Sequence, residues 1–133
     1  VIASPFKPID YMDKIDVFAM RYLAGTNIPC KYLVTELKKD GADKTTIDQA
    51  LKYVDWVCTE YAYGDYEAIE AYIIAAEYPE NICDHYREVV QRYYTLGSHP
   101  VRNKQWSDLR LLRYSYRDGH ITYFDVTPTE EIE

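Results

Sequence analysis

The segment LLRYSYRDGHITYFDV, residues 111–126, has a regular side-chain pattern on either side of an Asp118-Gly119 pair. An Asp-Gly pair is typical of a tight two-residue turn, because both central positions of that turn need positive φ. The segment therefore predicts a β-hairpin. Counting outward from the turn gives its register: Arg117 faces His120, Tyr116 faces Ile121, Ser115 faces Thr122, Tyr114 faces Tyr123 and Arg113 faces Phe124.

The two faces of this hairpin differ in character, because successive side chains of a strand point to opposite sides. One face is apolar and aromatic, with Leu112, Tyr114, Tyr116, Ile121 and Tyr123. The other carries Arg113, Ser115, Arg117, His120 and Thr122 together with Phe124. Two strands alone are marginally stable in water, so the aromatic face needs a cover. We expect it to pack on helices of the same chain; the alternative is that it completes a sheet in a partner or in a second copy.

Upstream of residue 97, apolar residues recur at helical spacing between proline and glycine residues. This pattern predicts five helices: residues 10–24, residues 29–39, a third capped by Asp43 and stopped by Gly64, a fourth starting at Asp65, and a fifth from Pro79 to before Gly97. Residues 98–108 read as a loop. The expected fold class is mainly α (α+β), a five-helix domain with a C-terminal β-hairpin packed on it.

Length and composition favour a single domain. The chain has 133 residues, of which 47% are apolar, which is enough for a real core. We expect residues 1–127 to form one helical domain with its hairpin, and residues 128–133 to form a flexible acidic tail. No metal site or cofactor is indicated, and the three cysteines are an odd number at long spacings, which suits reduced thiols.

Membrane and secretory segments are not indicated either. No apolar run reaches the roughly 18 residues of a membrane span, and residues 1–8 lack the charged and apolar regions of a signal peptide. We therefore expect a soluble cytoplasmic protein.

Tyrosine and acidic residues together indicate a binding surface. The chain has fifteen tyrosines and three phenylalanines, and its net charge is −7. Tyrosine combines apolar area with a polar tip, so it suits surfaces that meet a partner. The expected contact residues, on and beside the fourth helix, are Tyr63, Tyr66, Glu67, Glu70 and Glu77. The sequence thus predicts a small interaction or regulatory protein whose partner carries a basic patch; the other interpretation of this stretch is an ordinary amphipathic helix with its acids in solvent.

A nucleic-acid-binding regulator is the alternative function. Residues 33–52 loosely resemble a helix-turn-helix, and the resemblance implies that Lys44, Thr45, Gln49 and Lys52 lie at a DNA groove. An ordinary pair of packed helices explains the same spacing. On the hairpin, Arg113 and Arg117 could bind phosphate, or could bind the acidic region of a second copy and so form a homodimer.

The sequence carries one weak indication of catalysis. Arg92 is followed after six residues by His99, a spacing that resembles the arginine-to-histidine motif of the small all-helical ribonucleases called HEPN domains. In that family the resemblance implies a histidine acting on the ribose hydroxyl and an arginine steadying phosphate. Two residues at this spacing are weak evidence, and we expect a protein that is not an enzyme.

Overall fold

The computed structural model describes residues 15–97 and 100–129. Their helices and strands, in chain order, are β1 (Val17–Tyr22), β2 (Pro29–Gly41), α1 (Lys44–Glu60), β3 (Ile69–Glu77), α2 (Ile82–Val89), β4 (Arg92–Leu96), β5 (Arg102–Trp106), β6 (Leu109–Arg117) and β7 (His120–Asp125). A short 3-10 turn, Tyr66–Ala68, precedes β3.

Five of the strands form one sheet in the order β1-β2-β3-β6-β7. The three central strands, β2, β3 and β6, run parallel, while β1 and β7 are antiparallel to their neighbours at the two edges. The strands β4 and β5 form a separate antiparallel pair. The described residues are therefore mostly sheet, and the expected five-helix domain is wrong.

The core lies between one face of this sheet and the two helices. α1 contacts β2, β3 and α2, so both helices cover the same face, which we call the helix-side face. The core residues from the sheet are Val34, Ile69, Ala71, Ile73, Ala75, Leu109 and Leu111, and those from the helices are Ile47, Ala50, Leu51, Val54, Val57, Cys58, Ile82 and Tyr86. The five-stranded sheet thus has one face buried by helices.

Of the five expected helices, the third is confirmed and the fifth is confirmed in part. Asp43 caps α1 in a capping box, in which its carboxylate accepts from Thr46 N at 3.1 Å and Thr46 Oγ1 accepts from Asp43 N at 3.2 Å. The fifth helix is α2, but it ends at Val89, and β4 begins at Arg92. The expected range therefore ran past a real helix into a strand.

The other three expected helices are wrong. Residues 29–39 lie in β2, and the segment after Asp65 forms the 3-10 turn and β3. Of residues 10–24, those before Ile15 lie outside the described residues, while Val17–Tyr22 is β1.

The residues of β3 favour a helix locally but form a strand. Ile69, Ala71, Ile73 and Ala75 alternate with less buried residues and are fully buried on the helix-side face, which is the period of a strand. Alanine and glutamate favour helices over strands, however, and they occupy five of the nine positions of this strand. Burial against α1 and α2 overrode that local preference.

The hairpin is confirmed in all five predicted cross-strand pairs, which β6 and β7 form around Asp118 and Gly119. Its expected cover is wrong, because the aromatic face of the hairpin points away from the helix-side face. The loop expected over residues 98–108 contains β5, and residues 98–99 lie outside the described part. Of the expected tail, residues 130–133 also lie outside it.

Neither described helix is long and apolar enough to cross a membrane. The three cysteines are free thiols, of which Cys58 is buried and Cys30 and Cys83 are half-buried.

Candidate protein-binding surface

The side of the five-stranded sheet that faces away from the helices is apolar over most of its width. We call it the open face. Cross-strand pairing brings its residues into rows, such as Leu37 beside Ile74 beside Leu112, and Tyr114 beside Tyr123. Its large apolar members from β2 to β7 are Leu33, Leu37, Ile74, Leu112, Tyr114, Tyr116, Ile121 and Tyr123.

Within the described residues, no helix or strand covers this face. Leu37 is 49% exposed, Tyr123 54% and Tyr116 68%. Four strands about 4.8 Å apart, with rows of side chains about 6.8 Å apart, give a patch roughly 20 Å in each direction, or roughly 400 Å². Contiguous apolar patches of this size on a single protein often mark interaction sites.

Two ion pairs lie at the border of the open face. Arg21 contacts Glu70 at 3.5 Å, and Glu70 also accepts from the Tyr72 hydroxyl at 3.4 Å. On the other side, Arg110 contacts Asp125 at 3.5 Å. These ion pairs offset the charges that they join, and Lys39, two residues after Leu37 on β2, adds one exposed cation to the same face.

Hydrogen bonds beneath and beside the face hold it in place. The Tyr78 hydroxyl donates to the backbone oxygens of Leu112 at 2.8 Å and Ile73 at 3.0 Å, which joins β3 to β6. The Tyr114 hydroxyl donates to the Lys39 backbone oxygen and so spans from β6 to β2. Because a preorganised surface has less freedom to lose on binding, this bracing favours association.

The five residues expected to contact a partner do not share a helix, because only the short 3-10 turn Tyr66–Ala68 forms there before β3 begins. Tyr63 lies in the turn after α1 with a positive φ of 52°, and it is 93% exposed. Tyr66 is half-buried, whereas Glu67 is exposed and lies 3.9 Å from Lys104. Glu70 and Glu77 are on opposite faces of β3 and roughly 23 Å apart along the strand. The structure therefore disperses the expected patch, and the binding role of these residues stays a prediction.

The helix-turn-helix is wrong, because residues 33–41 belong to β2 and only the second segment is helical. Lys44, Thr45 and Lys52 are exposed on α1, and Gln49 donates to the Tyr53 hydroxyl at 2.7 Å. The hairpin cations are elsewhere in the fold: both Arg113 and Arg117 are exposed on β6, and Arg113 lies over the Phe124 ring at 5.3 Å.

Arg92 forms an ion pair that joins parts of the fold. Its Nε lies 2.7 Å from Asp55 Oδ1 and its terminal nitrogen 3.2 Å from Oδ2, while the Tyr66 hydroxyl donates to Oδ1 at 2.9 Å. These contacts join α1, the 3-10 turn and β4. His99 lies outside the described residues, and the described chain is not the all-helical fold of the ribonucleases.

Next to this cluster, burial and the Asp55 carboxylate raise the pKa of Cys58 to about 11. The thiol is therefore protonated at neutral pH and is a poor nucleophile. Across the described residues, no group of three or more histidine, cysteine or acidic side chains is placed to hold a metal ion.

A cleft of about 800 Å³ lies between the β4–β5 pair and the amino-terminal ends of β3 and β6. Its cations already have partners in the protein. Lys31 donates to the Glu67 backbone oxygen at 2.5 Å, and Arg110 contacts Asp108 and Asp125, each at 3.5 Å. With its charges balanced in this way, the cleft gives little reason to expect a strongly charged ligand.

The sequence reading found the β6–β7 half of the open face but missed its β2 and β3 half. The helices expected from the sequence include Leu33, Leu37 and Ile74, and that expectation hides the surface that these residues share with the hairpin. Burial alternates along β3, but Tyr72, Ile74 and Ala76 between the buried residues are also apolar, so the sequence itself shows no clear strand alternation there. Comparison of the chain with protein-family models, with curated proteins and with solved structures found no match.

Proposed function

We propose that this chain is a small cytoplasmic interaction protein of a regulatory kind, not an enzyme, and that it binds a partner protein through the open face. The observation that carries the proposal is the apolar sheet face that no described helix or strand covers, whose central row is Leu37, Ile74 and Leu112. Burying roughly 400 Å² of this kind of surface stabilises a complex, and the tyrosines around it tolerate either water or a partner.

The partner in this proposal also carries a basic patch. The net charge of −7 would attract such a protein and raise its association rate. Two exposed residues of the original prediction, Tyr63 and Glu67, are accessible for additional contacts. Three free thiols are compatible with a reducing compartment such as the cytoplasm.

The test compares proteins captured from the host lysate by the immobilised wild type and by two variants. Leu37→Glu places a charge in the middle of the open face. Val101→Glu is the matched control, because Val101 is 57% exposed but lies outside the sheet, beside β5. A protein bound stoichiometrically by the wild type and the control, but lost with Leu37→Glu, supports the proposal.

Two results would count against it. If Leu37→Glu retains the same partner at the same level, the open face is not the contact surface. If nuclease treatment removes the captured material, nucleic acid is the ligand, and the exposed hairpin arginines Arg113 and Arg117 become the residues to replace. For a basic partner, raising the salt concentration should also slow association.

A further inference from the structure

β7 is an edge strand with unusually little protection against pairing. Among the described residues it pairs with β6 and with no other strand, and all six of its residues are exposed. It contains neither proline nor lysine, the residues that commonly block an edge, and three of its side chains, Ile121, Tyr123 and Phe124, are large and apolar. Such an edge is a template for another strand.

The register of the hairpin shows which peptide groups this edge offers. A two-residue turn makes Arg117 and His120 a hydrogen-bonded pair, and such pairs alternate along the hairpin. In agreement, the Val126 N–H donates to the Leu111 oxygen at 2.9 Å. The even-numbered residues of β7 therefore bond to β6, and Ile121, Tyr123 and Asp125 direct their N–H and C=O groups outward.

We propose that β7 pairs antiparallel with β7 of a second copy, about a two-fold axis at Thr122, so that the two sheets become one. In this register Ile121 faces Tyr123 of the second copy, and the two residues exchange hydrogen bonds through their outward peptide groups. Thr122 meets its own counterpart at the axis. Aromatic–β-branched and Thr–Thr pairs are both favourable across strands.

The side chains on both sides of the sheet fit this pairing. On the open face, it aligns Tyr116 and Ile121 of one copy with Tyr123 and Tyr114 of the other, so the two open faces become continuous. On the other side, His120 faces Phe124. The one carboxylate of β7, Asp125, faces Gly119 of the second copy, so no like charges meet across the axis. The edge is therefore self-complementary, as a two-fold interface requires.

The dimer should be weak and should strengthen with salt. A single strand pair buries less than the roughly 1,200 Å² at the low end of specific interfaces, so we expect a dissociation constant on the order of 10 μM. Each copy carries a charge of −7, and salt screens the resulting repulsion. This inference does not depend on the proposed function, since it concerns the edge of the sheet and not an external partner.

Sedimentation equilibrium of the full chain over a wide concentration range tests the dimer. Tyr123→Pro deletes an outward N–H without touching a bond to β6, and we expect it to weaken the dimer at least roughly tenfold. Circular dichroism shows whether this variant is folded. A wild type that remains monomeric at millimolar concentration, or a dimer unaffected by a folded Tyr123→Pro, would overturn the proposal.

Disulfide cross-linking tests the register without relying on that variant. In a background with Cys30 and Cys83 replaced by serine, Thr122→Cys should cross-link on oxidation, because residues at the axis have Cα atoms about 4.5 Å apart. Ser115→Cys is the matched control: it lies beside Thr122 but one strand further from the axis, and it should stay monomeric under the same conditions. Equal cross-linking of both variants, or of neither, would refute the pairing.

Discussion

The buried carboxyl group of Glu36 gives the sharpest prediction for stability. Glu36 lies on the helix-side face of β2 and is only 3% exposed, and within the described residues its Oε1 has no hydrogen-bond partner. Burial, together with the nearby Asp16 carboxylate, raises its pKa from 4.5 to about 7. Between pH 4.5 and about 7, the folded protein therefore holds a proton on Glu36 that the unfolded chain releases.

The sign of the pH dependence follows directly. Between pH 4.5 and about 7 the folded state binds more protons at Glu36 than the unfolded state, so this group lowers the free energy of unfolding as pH rises through that window. Above pH 7 the penalty is complete. A difference of this size corresponds to about 3 kcal/mol at most.

Glu36→Gln removes this penalty while keeping the size of the side chain. We expect the variant to be more stable than the wild type at pH 8, by about 1–3 kcal/mol, and the two to converge near pH 4.5. Urea unfolding at a series of pH values, followed by tryptophan fluorescence, measures both curves.

The matched control is Glu77→Gln, which neutralises an exposed glutamate at the end of β3. It should change stability by no more than about 0.5 kcal/mol at any of these pH values. The reasoning fails if the difference between the wild type and Glu36→Gln is the same at pH 4.5 as at pH 8.

Two further substitutions test contacts that hold the fold together. Asp43→Ala should lower the free energy of unfolding by about 1 kcal/mol, because it removes the capping box with Thr46. Thermal or urea unfolding measures this loss, and an unchanged free energy of unfolding would mean that the cap contributes nothing. Tyr78→Phe should cost about 1–2 kcal/mol through loss of the bond to the Leu112 oxygen. Tyr116→Phe is its control, since that ring is exposed on the open face, and an equal loss in both variants would contradict the assigned role of Tyr78.

Local signals in the sequence were sufficient to predict the hairpin and the start of α1, because the contacts that form these features join residues close in the chain. The Asp118-Gly119 pair fixes the register of the hairpin, because few residue pairs tolerate positive φ at both turn positions. Asp43 marks the start of α1 for a similar reason, since its cap bonds reach only to Thr46.

Tertiary structure decided that the segments of β2 and β3 form strands and not helices, and it thereby created the open face. The segment Ile69–Glu77 contains alanine and glutamate, which favour a helix locally, and becomes a strand because β2 and β6 supply its hydrogen bonds and the helices bury one side of it. These partners are distant in sequence, so no local pattern reports them. The sequence by itself determined an aromatic hairpin face in need of a cover; only the assembled sheet decided that this face is continuous with Leu37 and Ile74 and points away from both helices.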